Sequence, residues 1–147
     1  MSDANVALMK RWFDEVWNQR RAATITELFA PGGISHGVAE DGSDLIGAET
    51  FLPFYQRFLG AFPDFKLSVE DAIGHGDKVL IRWSATMNHT GDHLGIPATH
   101  KPVTLSGMCL AKIANGKIVE AWDQWDKLAM LQQIGAIASP AAKSANG

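Results

Sequence analysis

Two aspartates stand among large aromatic residues near the end of the sequence, in the segment GKIVEAWDQWDKL, residues 116–128. Asp123 and Asp126 alternate there with Trp122 and Trp125. Acidic side chains are uncommon beside large apolar ones unless they are used or neutralised. Burial disfavours the charged form of a carboxyl group and raises its pKa, which suits it to proton transfer near neutral pH. The segment therefore predicts an acid/base group.

Side chains along a strand alternate between its two faces, and this alternation favours Asp123 over Asp126 as the acid/base group. In a strand along residues 118–125, successive side chains point to opposite faces, so Val119, Ala121, Asp123 and Trp125 share one face. Apart from the aspartate, this face is apolar. If it looks into a cavity, Asp123 is a lone acid in apolar surroundings and a candidate general base. Two alternatives remain: Asp123 is only hydrogen-bonded at the strand end, or the opposite face is the inner one.

Asp126 has a structural interpretation. It directly precedes KLAMLQQIG, a segment with helical spacing. An aspartate at this place caps a helix by accepting a hydrogen bond from its first turn. We therefore expect Asp126 to support the fold.

The histidines offer candidates for a second polar group. His89, His93 and His100 lie in the loop at residues 88–101, but their spacing fits none of the usual metal sites, so we expect no bound metal. His89 continues the inward-facing parity of the preceding strand, and His36 ends a shorter candidate strand. Either could hydrogen-bond a substrate oxygen in a pocket, and either could equally be a satisfied structural histidine.

The elements that would position these residues are predicted to be helices followed by strands. Apolar residues recur at helical spacing in the first part of the chain, and the period changes to two after Phe65. We expect helices at 4–20, 24–30, 47–65 and 126–135, and strands at 34–39, 66–76, 78–90, 101–116 and 117–125. This order is typical of an α+β fold. A curved antiparallel sheet wrapped around the N-terminal helices would leave a cone-shaped pocket for a small molecule.

Composition excludes several classes of protein. The 147 residues suit one domain, which we place at residues 1–138, with a flexible C-terminal tail at 139–147. The net charge of −3 argues against a nucleic-acid partner. The single cysteine excludes an internal disulfide. No apolar run approaches the roughly 20 residues of a membrane span, and no signal peptide is evident, so we expect a cytoplasmic protein with no membrane partner.

Four segments together resemble the SnoaL-like polyketide cyclase family of the NTF2-like superfamily: AFPDF, VEDAIGHGDKVLIRW, HTGDHLGIPATHK and NGKIVEAWDQWD. The resemblance covers about residues 5–135. It implies an NTF2-like α+β barrel. It also implies ring closure of a polyketide by intramolecular aldol condensation, without a metal or cofactor.

The resemblance also implies roles for individual residues. The acid/base of such cyclases is an aspartate in the final strand, three residues before a second aspartate, and this pattern falls on Asp123 and Asp126. An aromatic residue near the end of the first helix lines the cyclase pocket, and Trp17 stands there. The cyclases carry a glutamine and a histidine two residues apart on the preceding strand, whereas this chain has Gly107 and Cys109.

We therefore expect a cofactor-independent enzyme in which Asp123 transfers a proton at a small apolar carbonyl substrate and His89 is the second catalytic group. The expected substrate-binding residues are Trp17, His36, Phe54, Phe58, Cys109 and Trp125. The alternatives are an epoxide hydrolase-like hydrolase, a ketosteroid isomerase-like isomerase and a non-catalytic small-molecule binding module. We also expect a homodimer formed through the outer face of the sheet, by residues such as Trp122 and Leu105.

Overall fold

Helices and strands follow each other in the order that the sequence predicts, apart from an additional two-residue strand at Leu45–Ile46 and a first strand that begins at Phe29, inside the helix expected at 24–30. The computed structural model describes residues 2–138. Its helices are α1 (Ser2–Trp12), a π-helix (Phe13–Asn18), α2 (Ala23–Leu28), α3 (Gly47–Ala61) and α4 (Lys127–Gln133). Its strands are β1 (Phe29–His36), β2 (Leu45–Ile46), β3 (Lys66–His75), β4 (Lys78–Asn88), β5 (Pro102–Ala114) and β6 (Lys117–Trp125). The tail at 139–147 lies outside the described residues.

The six strands form one curved sheet in the order β2-β1-β6-β5-β4-β3. All neighbours are antiparallel except β1 and β6, which run parallel. The sequence-based expectation of a wholly antiparallel sheet was therefore wrong in one pair. A strand's direction depends on the long connection between β1 and β6, which local patterns do not reveal. In the described chain the sheet is open, with β2 and β3 as its edges.

Strand alternation and turn chemistry act as the sequence predicts over β4 and β5, whereas β3 has a register shift between Val69 and Asp71. The inward side of β4 is buried along its length, at Val79, Ile81, Trp83, Ala85 and Met87. Between β5 and β6, Asn115 and Gly116 have φ of 53° and 72°. Two successive positive φ values define the type I′ hairpin turn that an Asn-Gly pair favours.

The first helix departs from a regular α-helix at its C-terminal end. Residues 13–18 form a π-helix, which is rare and widens the turn. Phe13, Val16 and Trp17 are all buried there. The hydroxyl of Tyr55 on α3 donates to the carbonyl of Val16 at 2.8 Å. The sequence predicted a single helix over residues 4–20. The π-helix at its C-terminal end is packed against α3.

One residue is inserted in β6 relative to its neighbour β5. Ile113 pairs with Ile118 while Lys112 pairs with Glu120, so Val119 has no partner on β5. Two residues opposite one define a β-bulge, which bends the strand and reverses the alternation locally. The face that each residue of β6 presents therefore changes at Val119.

Within residues 2–138, no helix combines the length and the apolar character needed to cross a membrane. The cytoplasmic location and the absence of a nucleic-acid partner stay predictions.

Candidate active site

The bulge corrects the predicted faces of β6 without moving its aspartate. Ile118 is 2% exposed and faces inward, where the simple parity placed Val119. From Ala121 onward the alternation resumes, so Asp123 and Trp125 lie on the inner face as predicted. The sequence argument was therefore wrong before the bulge and correct at the two residues that matter for the site.

A cavity of about 60 Å³ lies between the helices and the concave face of the sheet. The helices contribute an apolar and largely aromatic wall: Met9, Trp12, Phe13, Trp17, Phe51, Phe54 and Phe58. The sheet and its following loop contribute Phe29, Ser35, Val38, Trp83, Cys109, Ala121, Asp123 and Trp125, among others. Asp123 is the one carboxylate on this wall in the described chain. Trp17, Phe54, Phe58 and Trp125 are brought together as the sequence predicts, and their role in binding stays a prediction.

The carboxyl group of Asp123 is poorly hydrated. Loss of water around it raises its pKa from the ordinary value of 3.8 to about 6. Three weaker effects oppose the rise: a hydrogen bond with the thiol of Cys109, one from Ser35 and the charge of Lys127. The hydroxyl of Ser35 donates to Oδ2 at 3.4 Å. Asp123 is therefore an anion at neutral pH whose proton affinity suits general base catalysis.

Cys109 lies opposite Asp123, as its register partner on β5. Burial, followed by repulsion from the Asp123 carboxylate, raises the pKa of the thiol well above its usual range. The side chain is 3% exposed and lines the cavity. A protonated thiol can donate a hydrogen bond but is a poor nucleophile. Cys109 therefore acts here as a weak donor beside the carboxylate.

Ser35 was missed by the sequence analysis. It lies on β1 opposite Ala121 of β6 and is 4% exposed. The neighbouring residue, His36, was expected to face the pocket, and strand alternation then directs Ser35 away from it. The real orientation is the reverse. Glu120 could have signalled it, because the alternation of β6 places this acid on the face away from Asp123, where it pairs with His36.

His36 lies on the outer face of the sheet. Its Nε2 is 2.7 Å from a carboxylate oxygen of Glu120, and its Nδ1 is 3.0 Å from Asp44. The ring stacks on Trp122, with centroids 5.7 Å apart. Hydrogen bonds with Glu120 and Asp44 raise the pKa of His36. The substrate-binding assignment of His36 therefore does not fit the structure, because its paired and stacked ring does not reach the cavity.

His89 is fully buried, at 0% exposure, but it is not part of the cavity wall. Its Nδ1 lies 3.1 Å from the hydroxyl of Thr99 and accepts the backbone N–H of Thr99 at 3.2 Å. The ring packs on Phe62 at 5.5 Å. Burial lowers the pKa of His89. The parity that turned it inward was right, but its place is in the packing beneath the loop at residues 89–101, away from the cavity, so its catalytic assignment does not fit.

Contacts from the β1–β2 loop hold the end of β6 beside the cavity mouth. The indole N–H of Trp125 donates to the carbonyl of Val38 at 3.0 Å. The ammonium of Lys127 donates to the carbonyl of Gly37 at 2.7 Å and lies 5.2 Å from the centre of the Trp125 ring. Gly37 has φ of +79°, and a Cβ there would lie 2.3 Å from the backbone oxygen of Asp123. Only glycine allows this approach.

Asp126 caps α4, which confirms the structural interpretation. Its Oδ1 accepts the backbone N–H of Ala129 at 2.8 Å. The two aspartates, three residues apart, therefore have different environments: Asp123 lines the cavity, and Asp126 ends the strand and starts the helix. Within residues 2–138, no group of three histidine, cysteine or carboxylate side chains could hold a metal ion. The absence of a bound metal or cofactor stays a prediction.

A curved sheet over an aromatic cavity, with one desolvated carboxylate on its wall in the described chain, is the arrangement of an NTF2-like α+β fold. The model of the SnoaL-like polyketide cyclase family matches residues 7–134. The chain therefore belongs to this family, as the sequence resemblance indicated. Among proteins with curated functions, none matches the chain.

Solved structures support the fold. The chain is similar to a proposed SnoaL-like polyketide cyclase from Jannaschia sp. CCS1, with 26% identity, a TM-score of 0.84 and coverage of 93% of this chain and 95% of that one. IdmH from Streptomyces antibioticus, a proposed polyketide cyclase, is 31% identical with a TM-score of 0.71, over 84% of this chain and 93% of that one. AclR from Streptomyces galilaeus, a proposed hydroxylase, has 21% identity and a TM-score of 0.84, over 99% and 91%.

Proposed function

We propose that the protein is a cofactor-independent acid/base enzyme, of the cyclase type, that acts on a small apolar substrate containing a carbonyl group. The observation that carries the proposal is the position of Asp123, whose pKa is raised to about 6 in a cavity with aromatic walls. Membership of the SnoaL-like family and the likeness to IdmH, a proposed polyketide cyclase, support the ring-closing form of this chemistry.

The first step is removal of a proton from the carbon next to the carbonyl. The Asp123 carboxylate takes the proton, the C–H electron pair forms the carbon–carbon double bond of an enolate, and the carbonyl π electrons move to oxygen. The enolate carbon then attacks a second carbonyl of the same molecule, and the new alkoxide takes the proton from the Asp123 carboxylic acid, which regenerates the carboxylate. Ser35 and Cys109, which hydrogen-bond the carboxylate, position it for this transfer.

The size of the cavity bears on the substrate. A cavity of about 150 Å³ is known to admit benzene, whereas the space here is about 60 Å³. A ring-sized substrate therefore requires movement of the aromatic side chains that form the wall. Such induced fit would close the rings around the substrate and exclude water from the carboxylate.

Three alternatives use the same cavity. A hydrolase needs polar groups that position a water molecule, and in the described chain the wall offers only the Ser35 hydroxyl and the Cys109 thiol beside Asp123 and the indole N–H groups. This composition favours proton transfer. An isomerase shares the first step and differs only in where the proton returns. A binding module would hold ligands without any proton transfer.

Exchange of hydrogen for deuterium tests the proposal without knowledge of the product. A panel of cyclic ketones, aryl ketones and 1,3-diketones is incubated with the protein in D₂O, and NMR follows the loss of signal from the α-hydrogens. We expect exchange by the wild type and a loss of roughly two to four orders of magnitude in Asp123→Asn. Asp126→Asn, a similar change three residues away, serves as the control and should retain exchange. Panel compounds that bind tightly but never exchange would favour the binding module instead.

A further inference from the structure

Trp83 occupies space that a side chain at position 107 would otherwise fill. Gly107 lies between Trp83 on β4 and Trp125 on β6, in register with both. A Cβ added at Gly107 would be 2.5 Å from Cζ2 of Trp83 and 2.8 Å from its Cε2. The indole of Trp83 therefore lies over Gly107. The indole nitrogen is bonded to Cε2 and lies at the same edge of the ring.

Within residues 2–138, the indole N–H of Trp83 has no protein acceptor. Among residues 2–138 the indole nitrogen takes part in no side-chain hydrogen bond, unlike that of Trp125, which donates to Val38. In the described part of the chain, the fully buried side-chain polar atoms without a partner are in Glu40 and His89. The Trp83 nitrogen is not one of them, so it has accessible surface. Because Trp83 is 8% exposed and lines the cavity, we assign this surface to the cavity.

Two other tryptophans of the wall, Trp12 and Trp17, also lack an acceptor in the described chain, but they lie on the helical side. The Trp17 ring is surrounded by other aromatic rings, including Tyr55 and Phe65 at centroid distances of 5.4 Å. Trp83 differs because it lies on the sheet, on the same side as Asp123. It is therefore the donor best placed to act on the same substrate as the carboxylate.

We propose that the indole N–H of Trp83 donates a hydrogen bond to the substrate's carbonyl oxygen and stabilises the negative charge that this oxygen gains when Asp123 removes the α-proton. The assignment rests on the proposed function. The electron pair released by the C–H bond moves through the enolate to oxygen, and the indole keeps its proton. Trp83 is thus an oxyanion donor, a type of group that typically contributes a factor of about 10²–10³ in rate. It takes the role for which the sequence offered His89 or His36.

The strand register places the indole and the carboxylate along the same stretch of β5. Cys109, the register partner of Asp123, is two residues along β5 from Gly107. Two residues of a strand span about 7 Å. The indole over Gly107 and the carboxylate beside Cys109 therefore lie along the same short stretch of β5, where one substrate can contact both. Because the carboxylate and the indole lie at different positions along β5, a substrate that contacts both is held with its reacting carbon toward Asp123.

A binding experiment tests the donor separately from turnover. In Asp123→Asn, residue 123 is neutral, as Asp123 is after it has taken the proton, and 4-nitrophenolate imitates a planar enolate oxygen. Nitrobenzene has a similar shape but no anionic oxygen. We expect Trp83→Phe, added to Asp123→Asn, to weaken 4-nitrophenolate by about tenfold to a hundredfold, the value of a hydrogen bond to a charged group. Nitrobenzene should change by less than about threefold, because Phe preserves most of the aromatic surface.

Trp122→Phe in the same background is the matched control, because Trp122 stacks on His36 outside the cavity. It should leave both affinities unchanged. If Trp83→Phe weakens the binding of both probes equally, Trp83 only shapes the cavity, and the assignment is overturned. Failure of either probe to bind would overturn it as well, because the proposal requires a cavity that admits an aromatic oxyanion.

If Trp83→Phe does not fold, the NMR signals of the indole N–H groups test the proposal without a substitution at Trp83. The chain has five tryptophans, so Trp-labelled Asp123→Asn gives five indole signals, and Phe variants at the other four assign Trp83 by elimination. Saturation with 4-nitrophenolate should move the Trp83 proton downfield, and nitrobenzene should not. An unmoved signal contradicts the donor role. Retained deuterium exchange in Asp123→Asn would instead contradict the proposed function, so the two failures are distinct.

Discussion

Cys109 and Asp123 are register partners on neighbouring strands, and both side chains lie on the cavity wall. The thiol hydrogen-bonds the carboxylate and lowers its pKa, while the carboxylate raises the pKa of the thiol. The two side chains therefore share a poorly hydrated part of the cavity, in which the carboxyl group is ionised and the thiol keeps its proton.

Removal of the thiol should raise the pKa of Asp123 further. Cys109→Ala loses a donor to the carboxylate and keeps the apolar surroundings, so the charged form becomes less favourable. Titration of the Asp123 carboxyl carbon by NMR measures the shift. Cys109→Ser retains a donor and should shift the pKa less than Cys109→Ala. An unchanged or lower pKa in Cys109→Ala would show that the thiol does not interact with the carboxylate.

Exchange activity should depend on pH through Asp123. A general base acts in its ionised form, so the rate of deuterium exchange should rise with pH through about 6 and then level off. The pH–rate profile of a ketone that the protein exchanges gives this value directly. Ser35→Ala removes the hydroxyl donor at 3.4 Å, and the midpoint should then move upward. A profile without a midpoint between about 5 and 7 would separate the activity from Asp123.

Titration of Asp123 should also make the stability of the fold depend on pH. Stability should fall as pH rises, whereas the exchange activity increases. The pKa of Asp123 is about 6 in the folded state and 3.8 as its ordinary value. The folded state therefore binds more protons between these values, and its free energy of unfolding decreases as pH rises from about 4 to about 6. At 1.36 kcal/mol per unit, the cost at neutral pH reaches about 3 kcal/mol.

Asp123→Asn should remove this cost. Urea unfolding should find the variant more stable than the wild type at pH 7, with the difference falling toward zero near pH 4. Asp126→Asn is the control and should show no such pH-dependent gain. A variant that is less stable than the wild type at pH 7 would mean that the carboxylate is well solvated or well paired in the folded state.

Gly37 should tolerate no side chain. Its positive φ alone costs an alanine about 1 kcal/mol, and the Cβ would also lie 2.3 Å from the backbone oxygen of Asp123. Gly32 is a matched control, because its φ is +72° but a Cβ there meets nothing within 4 Å. Urea unfolding should therefore show a larger loss for Gly37→Ala than for Gly32→Ala, by about 1–3 kcal/mol. Equal losses would indicate that the strand end moves freely away from the loop.

The outer face of the sheet should form a homodimer, which is our proposal for the partner. Across β3, β4, β5 and β6, register pairs place Ile73, Leu80, Leu110 and Trp122 in one row. Ile73 is 61% exposed and Trp122 is 37% exposed, an unusual amount of apolar surface to leave in water. Leu105, which the sequence analysis assigned to this face, is 3% exposed and faces inward.

Light scattering should find about twice the chain mass of 15.9 kDa. Trp122→Glu should shift the protein toward monomer, because a charge in an isologous two-fold interface meets its own copy. Leu128→Glu changes an apolar residue on α4 that is 56% exposed, more than Trp122, and it should leave the mass unchanged. A wild-type monomer at micromolar concentration would contradict the proposal.

Local patterns in the sequence were enough to predict most of the fold and part of the site. The change of period from helical to two, the Asn115–Gly116 turn and the capping role of Asp126 each depend on residues that are close along the chain. Asp123 could be selected because a single acid on an otherwise apolar strand face is visible in one short segment. The SnoaL-like resemblance pointed to the same residue, and the family assignment is confirmed.

Tertiary structure decided which side chains share the cavity with Asp123. The parallel pairing of β1 with β6 joins strands far apart in sequence, and it turns Ser35 toward the carboxylate and His36 away from it. The bulge at Val119 is a feature of the β5–β6 pairing that the alternation of residue types does not mark. The place of Trp83 over Gly107 likewise depends on the register of β4 with β5. A one-residue change in register moves a side chain to the opposite face of a sheet, so the alternation within one strand cannot by itself identify the partners of its acid.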